Sequence, residues 1–207
     1  MISPRNGLLW SLWLLGSGII VLVLSGKWIC LLLGIFNILW YNGLYTWLKT
    51  KTAFAVVPGA FTGAIPVFMG WSAAGGNIFD RIPVFIAVFI ILWQIPHFWL
   101  LMLKYGDEYR NAGYPVLSDL FSLSQMKRII VFWLLAASMV SLLLLTTIDP
   151  HLGFIDITVI VLNISLLILV IFQFFISRMI RFKILFASVN FFMLVVLLLF
   201  TLERIIT

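Results

Sequence analysis

Long apolar segments alternate with short polar segments along the whole chain. Seven apolar segments of 18 to 22 residues cover 7–24, 28–48, 53–71, 82–103, 129–147, 157–176 and 184–202. An α-helix needs about 20 residues to cross about 30 Å of hydrocarbon. Strands of a membrane β-barrel are about half as long and alternate in polarity. The pattern therefore predicts an all-α fold, a polytopic transmembrane bundle of seven helices, in one domain covering residues 1–207.

The composition supports a membrane protein and excludes several other classes. Of the 207 residues, 64% are hydrophobic and 10% are charged, whereas soluble domains carry about 25% charged residues. An ordinary soluble enzyme, a disordered chain and a disulfide scaffold are therefore excluded. The single cysteine, Cys30, lies inside the second segment and supports neither a disulfide nor a cysteine metal site.

The basic residues are distributed unevenly between the two ends of the segments. Ten of the 13 fall on one side: Arg5, Lys49, Lys51, Lys104, Arg110, Lys127, Arg128, Arg178, Arg181 and Lys183. Only Lys27, Arg81 and Arg204 fall on the other side. The positive-inside rule places the larger group in the cytoplasm. We therefore expect a bacterial-type inner (cytoplasmic) membrane protein with a cytoplasmic N-terminus and an outer C-terminus. The net charge of +6 then reflects topology and not nucleic-acid binding.

Two segments carry polar stripes that reach the cytoplasmic side. Gln94, His97, Lys104 and Glu108 fall within a sector of about 80° if the fourth helix continues past Gly106. A polar stripe inside a membrane must face other protein or a wet cavity. Both interhelical hydrogen bonding and a cavity are compatible with this pattern.

The second stripe consists of Asn42, Tyr45 and Lys49 on the second segment. It ends on the same side as a 25-residue loop, 104–128, in which Asp107 and Glu108 are adjacent. Mg²⁺ takes oxygen ligands and commonly bridges one or two carboxylates to a ligand phosphate. The two stripes, beside this loop and two lysines, favour a cavity. The adjacent carboxylates would suit a magnesium-bridged phosphate there, although an acidic pair that is simply solvated is the alternative.

Four strings in this order carry a family resemblance. They are Y-N-G-L-Y-T-W-L-K-T-K-T at 41–52, G-A-F-T-G-A-I-P-V-F-M-G-W-S-A-A-G-G at 59–76, W-Q-I-P-H-F-W at 93–99 and D-E-Y-R-N-A-G-Y-P-V-L at 107–117. Together they resemble the haem branch of the UbiA-type intramembrane prenyltransferases, the protoheme IX farnesyltransferases (haem O synthases). The motifs cover roughly residues 1–130, and the last two segments resemble the family by hydropathy only.

The resemblance implies a reaction and a set of site residues. Farnesyl diphosphate and haem B would be the substrates, haem O the product and Mg²⁺ the cofactor. Asp107 and Glu108 would be the catalytic, metal-binding pair. The diphosphate would be bound by Lys49 and Lys51, and more weakly by Lys104 and Arg110. The substrate pocket would include Asn42, Tyr45, Gln94, His97 and Tyr109, with His97 either as a haem ligand or packed against a neighbouring side chain.

One family motif is missing from these 207 residues. The family has nine helices and a first acidic motif, N-x-x-x-D-x-x-x-D, which does not occur here. Met1-Ile2-Ser3-Pro4 resembles the stretch that follows that motif. The resemblance thus predicts an N-terminally truncated form without the first two helices. We expect this form to be inactive alone unless a separate chain supplies the missing pair.

Two other functions remain open. A degenerate paralogue could bind haem or an isoprenoid, or assist oxidase assembly, without catalysis. A quinone-type UbiA prenyltransferase is the second alternative, and the W-Q-x-P-H-F string argues against it. Whether the chain is an enzyme is therefore left undecided by its sequence.

Overall fold

The computed structural model describes residues 3–147, 153–177 and 179–206. Within these ranges every element is helical and no strand occurs. The helices that follow are α1 Pro4–Leu24, α2 Trp28–Leu48, α3 Ala53–Ala73, α4 Arg81–Asn111, α5 Leu123–Leu145, α6 Phe154–Ile176 and α7 Phe182–Ile206. All seven are long and apolar enough to cross a membrane. The prediction of an all-α transmembrane bundle is confirmed, and the chain is an integral membrane protein.

Three parts of the sequence-based account fall outside the described residues. They are Met1 and Ile2 of the opening string, Arg178 from the charge count and the side chain of Arg204. The assignment of residues 1–207 to one domain stays a prediction.

Local sequence signals explain where the helices begin and end. Ser3 caps α1 by accepting a hydrogen bond from the Asn6 amide at 3.3 Å. Ser122 and Gln125 form a reciprocal capping box, so α5 begins six residues before the apolar segment that predicted it. Helix α4 continues eight residues beyond its apolar segment and ends before Gly113, which has a φ of 82°.

The last four helices form the core of the structure. Helix α4 packs on α5, α5 on α6, α6 on α7, and α7 packs back on α4. Their buried side chains make one cluster that includes Phe89, Trp99, Leu134, Val159 and Phe192. Helix α3 packs on another face of α4, α2 packs on α3, and α1 packs on α2 without burying any residue. The packing therefore weakens from α4 toward α1.

A few polar contacts fix neighbouring helices of the core against each other. The Ser141 hydroxyl of α5 donates to Asn163 Oδ1 of α6 at 3.0 Å, and both residues are buried. Nearer the helix ends, Lys127 Nζ of α5 donates to the Phe174 carbonyl at 2.9 Å. That carbonyl belongs to the π-helical last turn of α6. Such bonds are favourable in a membrane because an unpaired polar group there is costly.

Candidate functional site

A cavity of about 420 Å³ lies where α2 ends, α3 begins and α4 ends. Its volume falls within the range typical of small-molecule sites. Its walls mix apolar and polar side chains. The lining residues are Tyr45, Lys49, Thr52, Ala53, Ala55, Val56, Phe98, Leu101, Met102, Glu108, Tyr109, Ala112, Tyr114 and Pro115.

Four of the residues predicted from sequence line this cavity. Lys49 and Tyr45 come from α2, and Glu108 and Tyr109 come from α4. The Lys49 ammonium lies 5.9 Å from the centroid of the Tyr45 ring. Neither Lys49 nor Glu108 takes part in the ion pairs formed among the described residues. The cavity thus has an unpaired cation and an unpaired carboxylate in its wall.

The end of α2 is shaped by a π-helical segment, Trp40–Tyr45. The Thr46 hydroxyl donates to the Tyr41 carbonyl five residues earlier at 2.8 Å, which matches the wider turn. The Trp40 indole donates to the Pro58 carbonyl at 2.8 Å and ties this segment to α3. At the end of this segment Tyr45 lies against Gly59 of α3, and Lys49 lines the cavity together with residues from the start of α3.

Two glycines on α3 each leave room for one side chain from a polar stripe. A Cβ placed on Gly59 would lie 2.6 Å from Cε2 of Tyr45, so only glycine leaves room for that ring. A Cβ placed on Gly63 would overlap the side-chain amide of Gln94 from α4. The G-x-x-x-G pattern therefore accommodates one side chain from each neighbouring helix, in addition to bringing helices together.

Arg110 holds the loop after α4 against the end of that helix. Its guanidinium donates to Asp119 Oδ1 from Nε at 2.9 Å and from Nη2 at 2.7 Å. It also donates to Asp107 Oδ1 at 2.8 Å and to the Ser118 hydroxyl at 2.8 Å. Gly113 reverses the direction of the chain, and Arg110 binds Ser118 and Asp119 in the loop that follows. Residues 114 and 115 therefore line the cavity.

The adjacent acidic residues Asp107 and Glu108 point in different directions. Successive helical residues are separated by about 100°, so two neighbouring carboxylates cannot share one face. Glu108 lines the cavity, whereas Asp107 pairs with Arg110 and its side chain is 92% exposed. The structure therefore brings one of the two predicted carboxylates to the cavity wall and leaves the other at the rim.

The W-Q-x-P-H-F string contacts two different helices. Gln94 lies against Gly63 of α3. His97 lies against α7, where its Nδ1 is 2.8 Å from Asn190 Oδ1. Trp93 also faces α7 and donates to the Val189 carbonyl at 3.0 Å. The single sector predicted for this stripe is thus divided between two interfaces.

The other predicted site residues lie away from the cavity. Asn42 is exposed and donates to the Ile38 carbonyl of its own helix at 3.0 Å. Lys51 is exposed in the turn after α2. Lys104 donates to the Tyr105 hydroxyl at 2.7 Å and lies 5.0 Å from the Phe182 ring of α7.

Sequence reasoning missed several residues that line the cavity. Thr52 caps the first turn of α3 by accepting from the Phe54 amide at 3.2 Å. Phe98 was quoted only as part of the W-Q-I-P-H-F-W string, and Met102 lies on α4 inside an apolar run, where nothing distinguishes it from core residues. Tyr114 was quoted only as part of a motif string, although its ring lies 6.2 Å from that of Tyr109. The capping signal of Thr52 was the one readable hint among these residues.

The described residues contain no group of three or more His, Cys, Asp or Glu side chains placed to hold a metal ion. Mg²⁺ does not require such a group, because it often binds through one or two carboxylates and the phosphates of a ligand. Glu108 supplies one hard oxygen ligand to the cavity that Lys49 also lines. This donor set fits Mg²⁺ brought in together with a phosphate ligand.

Comparisons with known proteins identify similar sequences. The model of the UbiA prenyltransferase family matches residues 1–194. A protoheme IX farnesyltransferase of Geobacter sulfurreducens is 41% identical over 102 residues, which cover 49% of this chain and 37% of that protein. The one from Nitratidesulfovibrio vulgaris (strain DP4) is 43% identical over 115 residues, or 56% of this chain and 40% of that protein.

A third relative of the same name, from Geotalea uraniireducens, is 47% identical over 88 residues, which cover 42% of this chain and 32% of that protein. The matched regions thus span about a third to two fifths of the length of these curated relatives. No solved structure matches this chain.

Proposed function

This chain belongs to the UbiA prenyltransferase family, and from that premise we propose that it takes part in transferring a farnesyl group from farnesyl diphosphate to haem B. The product would be haem O, and the reaction would serve haem biosynthesis for terminal oxidases. The observation that carries the proposal is the cavity with Lys49 and Glu108 in its wall. The names of the similar proteins supply the two substrates.

The cavity suits a ligand with an anionic head and an apolar tail. Lys49 would bind diphosphate oxygens, since an ammonium is a strong point charge for phosphate. The apolar wall formed by residues such as Val56, Phe98 and Leu101 would cover part of the prenyl chain. Tyr45 and Tyr109 would lie beside the reacting end because they line the same cavity as both charged residues.

Glu108 is the residue best placed to hold Mg²⁺ together with the diphosphate. Asp107 is the second proposed ligand, and its carboxylate would have to leave Arg110 in order to join Glu108. Bound Mg²⁺ would neutralise charge on the leaving diphosphate. Lys49, which lines the same cavity, would add to that stabilisation.

The chemical step joins the two substrates through carbon. The bond between C1 of the farnesyl chain and oxygen breaks, and diphosphate leaves with the electron pair. A haem vinyl carbon donates its π electrons to the allylic cation and forms the new carbon–carbon bond. Water then adds to the resulting cation and loses a proton, which gives the hydroxyethylfarnesyl group. Residues that exclude water until the carbon–carbon bond forms would favour this outcome.

The proposed location is the inner membrane, with the cavity open toward the cytoplasm. The cavity lies at the end of the bundle that carries Lys49, Lys51, Lys104 and Arg110. The positive-inside rule assigns that end to the cytoplasm. Water-soluble farnesyl diphosphate would then reach Lys49 without crossing the membrane.

We expect the 207 residues to lack activity when expressed alone. They contain one acidic motif, and only Glu108 of that motif lines the cavity. A single carboxylate and a lysine would neutralise the diphosphate poorly, so further carboxylates would have to come from other polypeptide, such as a separate helix pair. The test is pigment extraction from a haem-O-synthase-deficient host that expresses only these residues. Recovery of haem O would contradict the expectation.

A second candidate function is non-catalytic binding of an isoprenoid or haem. The observation that favours it is the ion pair between Asp107 and Arg110, which keeps one proposed ligand away from the cavity. Binding without turnover would be the outcome if that ion pair persisted in the presence of Mg²⁺ and farnesyl diphosphate.

The site itself is tested by ligand binding to the purified chain in detergent. We expect Lys49→Met to weaken binding of a fluorescent farnesyl diphosphate analogue by about 10- to 100-fold, because a charge-assisted hydrogen bond contributes roughly 1.5–3 kcal/mol. Lys27→Met removes the same charge on the opposite side and is the matched control. Glu108→Gln should abolish the Mg²⁺ dependence of binding, and Glu108→Asp should retain part of it. Equal binding by all four variants would remove this cavity from the proposal.

A further inference from the structure

A groove with a free volume of about 420 Å³ lies between α6 and α7. It shares no lining residue with the candidate site. Its walls are apolar except for two serines, Ser165 and Ser188. Ser165 of α6 and Ala187 and Phe191 of α7 are exposed members of these walls. The groove therefore opens sideways, toward the hydrocarbon of the bilayer.

One end of the groove lies beside a junction between α6 and α7 that carries cations. One turn beyond Leu169 of the groove, the buried side chain of Gln173 accepts a hydrogen bond from the Arg181 backbone amide at 3.1 Å. This contact holds the start of α7 against the π-helical last turn of α6. Lys183 follows one turn before Ala187 of the groove wall, on the same face of α7. Both Arg181 and Lys183 are exposed.

Protein carboxylates do not pair with these cations in the part of the chain that the structure describes. The ion pairs found there are both made by Arg110, with Asp107 and Asp119. The neighbouring carboxylate, Glu108, lines the other cavity. Lys127 of α5 brings a third positive charge to the last turn of α6. This end of the groove is thus electropositive and has no counter-ion among the described side chains.

Ser188 is the groove serine that lies nearer to these cations. Hydroxyls inside helices commonly donate to the carbonyl four residues earlier, as Thr158 does on α6 and Thr201 on α7. Ser188 forms no hydrogen bond with any described residue. An unpaired donor near hydrocarbon is costly, so the hydroxyl favours an acceptor on a bound molecule. Ser188 lies five residues past Lys183, about 7.5 Å along the helix axis.

We propose that the groove binds an anionic phospholipid, with its phosphate at Arg181 and Lys183 and one acyl chain between α6 and α7. The phosphate supplies the counter-ion, and the apolar wall covers the chain. The interfacial layer of a bilayer is about 5–8 Å thick, so Ser188 lies at the depth of the ester carbonyls, which can accept its hydrogen bond.

The position of the groove in the membrane agrees with this ligand. The positive-inside rule assigns the end with Arg181 and Lys183 to the cytoplasm. Basic sites between membrane helices on that side typically bind anionic lipid headgroups. A basic surface that only anchors the chain would require neither the groove nor the Ser188 hydroxyl. The inference does not depend on the proposed function.

The lipid preference is measured by native mass spectrometry of the purified chain with equal amounts of phosphatidylglycerol and phosphatidylcholine that carry the same acyl chains. We expect one molecule of phosphatidylglycerol to bind preferentially. The double variant Arg181→Gln/Lys183→Gln should weaken its binding by about 30-fold, since each basic residue near an anionic lipid contributes roughly fivefold. Arg5→Gln/Lys51→Gln removes two exposed cations from the same end of the bundle and should keep the preference. Equal loss in both double variants would mean anchoring by net charge and would overturn the inference.

Variants of the groove itself separate a lipid site from a plain anion site. Ala187→Phe should fill the groove and release the bound lipid, whereas Leu135→Phe, which enlarges an exposed side chain on α5, should not. Ser188→Ala should weaken binding by about 2- to 10-fold, and Ser188→Thr, which keeps the hydroxyl, should restore it. Circular dichroism checks that each variant is folded. Unchanged binding in Ala187→Phe, or displacement of the lipid by an equal amount of inorganic phosphate, would overturn the inference.

Discussion

Replacement of Gly59 by alanine is the most direct test of how α3 shapes the cavity. The added Cβ would lie 2.6 Å from Cε2 and 2.7 Å from Cδ2 of Tyr45. Ordinary van der Waals contact begins at 3.4 Å, so the ring would have to move by about 0.8 Å. A tyrosine ring has few ways to yield, because its position depends on only two side-chain torsions. Tyr45 lines the cavity, so its displacement should also disturb ligand binding.

The expected change in stability combines two opposing effects. Overpacking of this kind typically costs about 1–3 kcal/mol. Alanine is favoured over glycine inside a helix by about 1 kcal/mol. Gly59→Ala should therefore lower the free energy of unfolding by up to about 2 kcal/mol. With the ring removed in a Tyr45→Ala background, the same substitution should raise it by up to about 1 kcal/mol.

The assay is unfolding of the purified chain by titration with sodium dodecyl sulfate, combined with binding of the farnesyl diphosphate analogue. Gly70→Ala is the matched control on the same helix, since nothing lies within 4 Å of a Cβ there. It should be neutral or slightly stabilising and should bind the analogue normally. The reasoning is refuted if Gly59→Ala has the same effect with and without the Tyr45 ring, or if it behaves like Gly70→Ala.

Two further contacts give predictions of their own. Replacing Asn163 by leucine should lower the free energy of unfolding by about 0.6–1.7 kcal/mol, the usual range for an interhelical hydrogen bond in a membrane. A double-mutant cycle with Ser141→Ala should give a coupling energy in the same range. Zero coupling would mean that the hydrogen bond does not stabilise the protein. Asp119→Asn should free the loop from Arg110, with little change in global stability because the pair is about half exposed. Amide hydrogen exchange of residues 112–119 should then be faster. The control Arg128→Gln, which removes an exposed charge elsewhere, should leave the exchange unchanged. Equal exchange rates in the two variants would show that Arg110 does not hold the loop.

The number and approximate positions of the helices could be read from the sequence because hydropathy is a local property. Every apolar segment of about 20 residues became a helix. The predicted helix ends were wrong where the helices continue into polar sequence, because hydropathy does not mark the end of a helix there. Helix α4 extends to Asn111 and α5 begins at Leu123, since Gly113 and the Ser122 capping box set those ends and the apolar count does not.

The candidate site was predictable in part. Tyr45, Lys49, Glu108 and Tyr109 were named from polar stripes and motif strings, and all four line the cavity. The stripes indicate which residues need a polar environment inside a membrane. They do not indicate which neighbour provides it, since several helices can satisfy the same requirement.

The sequence by itself determined that the chain lies in a lipid bilayer, that it is helical, and which residues cannot face lipid. Only the tertiary structure decided which helix each of those residues meets. It placed Glu108 in the cavity wall and left Asp107 at the rim, paired with Arg110. It also joined His97 to Asn190, 93 residues away along the chain. Periodicity within one helix gives the direction of a side chain relative to its own axis, and the packing of seven helices decides what lies in that direction.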